Sequence, residues 1–168
     1  MDKIRNRITI FAAFFAFMSA LSSLMLTRTL NRLVILKNEE VVLKAQVMDQ
    51  WNWYQSKNIR IETLEIIRAL KGTIPKELED KQNDLTSRRD EIQKQARNLE
   101  EQDKNLKEMT TKISAMIPTF SLAVAIFQIA LMVMPIAMLR GSNRFFKLGF
   151  GFGLVGIALL ATGLLKYF

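Results

Sequence analysis

Asp49, Glu62 and Glu65 are the carboxylates that lie closest to a concentration of aromatic and amide side chains. Acid–base catalysis needs such groups held in a pocket that tunes their pKa. These three fall on a stretch of ordinary mixed charge, with nothing in the sequence to suggest a pocket. The chain also contains no His and no Cys. That removes the usual proton shuttle near neutral pH, thiolate nucleophiles, disulfides and zinc sites of the Cys/His type. No catalytic residue, cofactor or metal ligand is therefore expected, and the chain does not read as an enzyme.

Recognition is the chemistry that remains. Asp49, Gln50, Trp51, Trp53, Tyr54, Gln55 and Lys57 gather aromatic, amide and charged groups within nine residues. On a helix, Trp51 and Tyr54 are three apart and share a face with Asn58, while Trp53 and Lys57 are four apart and can make a cation–π contact. Three readings stay open for this cluster: core packing with a Gln50/Gln55 polar contact, an interface with another copy or another protein, or a ligand site.

The elements that must position these residues are set by where apolar residues concentrate. Ile8 to Leu26, Pro118 to Leu139 and Leu148 to Leu165 contain no Asp, Glu, Lys or Arg. Each is close to the roughly 20 apolar residues needed to cross a hydrocarbon core of about 30 Å. The residues before Ile8 form a basic n-region like that of a signal peptide. The apolar run is too long for an h-region, however, and no small-x-small site closes it, so the segment is expected to be retained. The division predicted is a basic tail over 1–7, transmembrane helices over 8–26, 117–139 and 148–165, a polar segment over 27–116, a basic loop over 140–147 and a tail over 166–168.

The net charge of +8 does not point to nucleic acid once it is located. Residues 27–116 hold 17 basic and 15 acidic residues, so the excess lies in Lys3, Arg5 and Arg7, in Arg140, Arg144 and Lys147, and in Lys166. With three spans the first two groups share one side of the membrane, and the bias of basic residues makes that side cytoplasmic. Residues 27–116 would then lie on the opposite side of the membrane.

From Leu33 to Leu70 no Pro or Gly interrupts, and Leu36, Leu43, Val47, Trp51, Tyr54 and Ile61 recur at helical spacing. Gly72 and Pro75 then supply a helix stop and a helix start within a turn at 71–75. A return helix over 76–116 carries Leu78, Leu85, Ile92, Leu99, Leu106 and Ile113 at every seventh position. The second core position, three residues on, is filled by Lys81, Arg88, Gln95, Gln102 and Met109, so the seam is narrow and only half apolar. Arms of 38 and 41 residues, about 57 and 62 Å long, suit an antiparallel helical hairpin. The fold expected is an all-α membrane protein with three transmembrane helices and a long extramembrane hairpin between the first and second.

The spans carry packing signals of their own. Gly149 and Gly153 form a small-xxx-small pair, and Gly149, Gly156 and Gly163 recur at sevens, which leaves one face of the last span close to bare backbone. Ala12, Ala16 and Ala20 with Ser19 and Ser23 are a weaker version in the first span. In the second, Gln128 is the one strongly polar residue near mid-depth, suited to hydrogen-bond a neighbouring helix.

The run from Ala45 to Arg60, with its Asp49-Gln50-Trp51, Tyr54-Gln55 and following Lys57, resembles the signature of a bacterial membrane family known as domain of unknown function 4337. The layout of the remainder is similar: a span with Phe120 and Gln128-Ile129, a short basic loop and a Gly-rich last span. The N-terminal tail is shorter than in many members of that family. The resemblance implies a multi-pass bacterial membrane protein and brings no activity with it.

Together these features favour a structural or interaction protein, a homo-oligomeric scaffold joined through the hairpins and the Gly/Ala-rich faces. The alternative is an oligomeric channel or an accessory subunit of a transport system. The partners expected are the lipid bilayer and further copies of the chain, with another membrane or periplasmic protein as the alternative; nucleic acid is not expected.

Overall fold

The computed structural model describes residues 2–72 and 75–167, and every element among them is an α-helix. Four helices follow one another: α1 (Asp2–Lys71), α2 (Lys76–Ser114), α3 (Ile117–Arg140) and α4 (Asn143–Tyr167). Thr73 and Ile74, inside the turn expected at 71–75, lie outside the described residues, as do Met1 of the basic tail and Phe168 of the final one. Three stretches of helix are long and apolar enough to cross a membrane, one each in α1, α3 and α4.

The helix ends follow from local chemistry. Gly72 adopts a left-handed φ of 73° and donates its N–H to the Arg68 carbonyl at 3.0 Å, ending α1. The carbonyl of Pro75 accepts from the N–H groups of Leu78 and Glu79, and Glu77 and Glu79 place acidic side chains in the first turn of α2. Only Ala115 and Met116 separate α2 from α3, and Pro118 sits in the first turn of α3, where a missing N–H costs nothing. Pro135 is accommodated inside α3. Gly141, at φ 58°, caps α3 by donating to the Ala137 carbonyl, and α4 starts two residues later.

The chain divides into two compact units, one of residues 1–35 and 110–168, the other of residues 36–109. The first holds an apolar core. Along α3 the buried residues are Phe120, Ala123, Phe127, Ala130, Met134 and Ala137, spaced alternately by three and four. Large and small side chains therefore alternate along one seam. The start of α1 adds Ile8 and Phe15, and Phe11 packs edge-on to Phe150 of α4 with ring centroids 5.0 Å apart.

In the second unit, residues 36–71 of α1 are buried along Glu40, Ile61 and the half-buried Leu36, Leu43, Val47, Gln50, Tyr54, Lys57 and Leu64. This is again alternating three-four spacing. On α2 the column Leu78, Leu85, Ile92, Leu99 and Leu106 is buried or half-buried. Its companion column does not lie three residues on: Lys81, Arg88, Gln95, Gln102 and Met109 are all exposed. It lies four residues on, at Gln82, Arg89, Ala96 and Asp103, with Ala96 completely buried. A heptad splits into steps of three and four, so the leucine column alone does not say on which side its companion falls.

Candidate functional site

The aromatic motif sits in the middle of the second unit, and the helix divides it between two environments. Gln50, Trp51, Tyr54 and Lys57 are half-buried, whereas Asp49, Trp53 and Gln55 are exposed. The Trp51 and Tyr54 rings meet edge to face, 5.4 Å apart at 80°. The Trp51 indole N–H donates to the Glu100 carboxylate of α2 at 2.8 Å. Trp53 and Lys57 do not form the cation–π contact that their spacing allows; both instead line a groove with Gln50, Arg60, Arg88 and Gln95. The groove encloses about 570 Å³. Arg88 is held by Asp84 at 2.9 Å, and the Gln50 Oε1 is buried without a hydrogen-bond partner. Asp49 and Gln55 take no part in this groove.

Polar groups recur along the same seam. Glu40 is almost fully buried, 4 % exposed, and accepts from Lys37 at 2.8 Å and from Lys44 at 2.6 Å. The hydrogen bonds from Lys37 and then Lys44 hold its carboxyl down at about 2, against the desolvation that opposes them. The bond to Glu40 raises the Lys44 ammonium in turn, with Asp103 of α2 adding to the effect. This seam can recognise polar or charged groups, and it holds no cluster of three or more carboxylates suited to a metal ion among the described residues.

The second candidate region is the glycine face of α4. Gly149, Gly153, Gly156 and Gly163 are all buried. A Cβ built on Gly156 would stand 2.8 Å from the Phe127 ring, and one on Gly163 would stand 2.7 Å from the Phe120 ring. At Gly153 a Cβ would collide with the Phe15 ring of α1. Gly153, Gly156 and Gly163 are each a socket for one phenylalanine, and at Gly149 the ideal Cβ position lies in ordinary contact with Val133 and with the Met134 Cε at 3.5 Å. In the sequence Phe15, Phe127 and Met134 carry no signal of their own, although Phe120, Phe127 and Met134 repeat at the same sevens as the glycines they meet. In the first span Ala12 and Ser19 are half-buried and Ala16 is exposed. Gln128 is exposed as well.

A family model described as "Domain of unknown function (DUF4337)" matches residues 4–166. The chain belongs to this family. The match runs through both units, so the glycine sockets and the aromatic motif both fall inside the DUF4337 region. No curated protein and no solved structure matches the chain.

Proposed function

We propose that this chain is an integral protein of the bacterial inner membrane that does no catalysis and serves as a homo-oligomeric scaffold. The apolar stretches near 8–26, 117–139 and 148–165 cross the bilayer. The helices between the first two form an antiparallel hairpin outside it. Two contacts support that pairing: Trp51 bonds Glu100, while Arg68, further along α1, stands 3.7 Å from Glu79, further back on α2. The excess of basic residues places the N-terminus and the 140–147 loop in the cytoplasm and the hairpin in the periplasm.

One observation carries the oligomeric reading. Val41, Met48, Ile59 and Ile66 are each more than half exposed and fall within about 20° of one another around α1, in the near-neutral, charge-rich segment that cannot enter hydrocarbon. A row of large apolar side chains left in water marks a contact surface. Copies held in one membrane can cover it mutually.

The test is the mass of the full chain extracted into nanodiscs, with any co-purifying protein identified. A multiple of the protomer mass is the expected result. A single protomer overturns the scaffold, and a stoichiometric second protein makes the chain an accessory subunit instead. Ion flux through reconstituted vesicles would move the conclusion to a channel.

A further inference from the structure

The membrane reading, taken with the geometry of α3, says more about self-association than the glycine pattern does. The close-approach face of α4 is occupied from within, because Phe15, Phe127 and Phe120 fill the sockets over Gly153, Gly156 and Gly163. That face has nothing left to offer a second copy. The outward surface of α3 does. Gln128 is the twelfth of 24 residues in that helix, so its carboxamide lies about 17 Å from either end. Its side chain is too short to reach water from there, it points away from the core, and it makes no side-chain hydrogen bond among the described residues. Hydroxyls on these helices can be satisfied locally: Ser22 donates to the Met18 carbonyl, Thr29 to Met25 and Thr162 to Leu159. Those hydroxyls are short enough to fold back on their own helix. An exposed carboxamide in hydrocarbon must find its partner on another helix.

We propose that two copies of this chain meet along the outward face of α3, with the Gln128 carboxamides hydrogen-bonded to each other. This proposal rests on the membrane-scaffold reading and specifies where in the bilayer its copies meet. A second copy is favoured over another protein by symmetry and chemistry. Every copy inserts in the same orientation, so a two-fold axis along the membrane normal brings each residue opposite itself at the same depth. A carboxamide is both donor and acceptor and therefore complements itself. The neighbouring surface permits the approach: Ser121 and Ala125, seven and three residues before Gln128, and Met132, four after it, are all exposed on that side. The two small residues keep the helix backbones close.

The experiment uses the full chain in nanodiscs and in native membranes, where the absence of Cys gives single-cysteine variants an empty background. Ala125→Cys and Met132→Cys should oxidise to disulfide-linked dimers, and Ala158→Cys, exposed on α4, should not. Gln128→Leu should weaken self-association about three- to thirtyfold, the range for losing one interhelical hydrogen bond, without changing helicity. Gln128→Asn should recover part of the loss. If the parent protein is oligomeric and Gln128→Leu associates equally well, the α3 interface is wrong and the scaffold stands. If the parent protein is monomeric, both fall. Cross-linking of Ala125→Cys to a different polypeptide, with no self-linked dimer, would also overturn the proposal.

Discussion

The seam of the first unit and the seam of the second share one period and use opposite chemistry. Between α3 and α4, columns at alternating three and four residues hold Phe, Ala and Met against bare glycine backbone, and nothing polar enters. Along residues 36–109 the same spacing places Glu40, Gln50, Lys57, Arg89 and Asp103 among Leu and Ile. In the bilayer that the proposed function gives the first unit, no hydrophobic force drives helices together, so close contact through small residues must supply the attraction. In water leucine columns supply it, and polar groups in the seam reject wrong registers at some cost in stability. The period sets where helices touch, and the solvent sets what the contact is made of.

That contrast predicts a descending series of effects. Phe127→Ala empties the socket over Gly156 and should cost about 3–5 kcal/mol, read as lost resistance to denaturation in mixed detergent. Gly156→Leu attacks the same contact from the other side. Overpacking against a fully buried ring should cost about 1–3 kcal/mol, whereas Ala158→Leu, exposed on the same helix, should stay within about 0.5 kcal/mol. Equal behaviour of the two leucine variants would mean that the glycine sockets contribute nothing.

In the second unit the expected effects are smaller. Trp51→Ala should cost about 2 kcal/mol in equilibrium unfolding, below the value for a fully buried ring, because Trp51 is only half-buried. Trp51→Phe keeps the edge-to-face contact with Tyr54 and should recover most of that loss. A Trp51→Ala protein with full stability but lower oligomeric mass would move this residue from the α1–α2 contact to an intersubunit contact.

Acid tests the polar seam alone. The Glu40 carboxyl is held at about 2 in the fold, below its ordinary value of 4.5, so its contribution is complete above that ordinary value. It is lost as the pH falls from there toward about 2. Lowering the pH through this window should loosen residues 36–109 in hydrogen exchange, and Glu40→Gln should flatten the dependence. A slope that survived Glu40→Gln would assign it to other carboxylates.

The helices, the three apolar stretches and the turn at Gly72 and Pro75 are legible in the sequence because each follows from local causes, but the basic loop expected over 140–147 shrinks to Gly141 and Ser142, and residues 143–147 already belong to α4. What sits opposite what is not local. The interval of Gly149, Gly156 and Gly163 marks a bare face but names no occupant, and Phe120, Phe127 and Met134 emerge only when two helices are read together. On α2 the leucine column points to a companion three residues on, but the companion lies four residues on, because a heptad allows either step and the polar side chains at both sets of positions do not separate them. The spacing of the aromatic motif places Trp51 with Tyr54 and Trp53 with Lys57, but not how deeply each is covered: Tyr54 and Lys57 are half-buried, while Trp53 at the groove's edge and Gln55 are exposed.

The left-handed cap at Gly141 also bears on how the protein is made. Because it reverses the chain within two residues, the first facing pair to form, Met134 with Gly149, is only 15 residues apart in sequence, and Phe127 with Gly156 and Phe120 with Gly163 follow outward. Each closure shortens the loop that the next must close, so the entropic cost of every step stays low. Contacts of such low order are the fast ones in folding. Assembly of α3 on α4 should therefore run as a zipper from Gly141 and finish ahead of the docking of Phe15, which must return from more than 100 residues away in the chain.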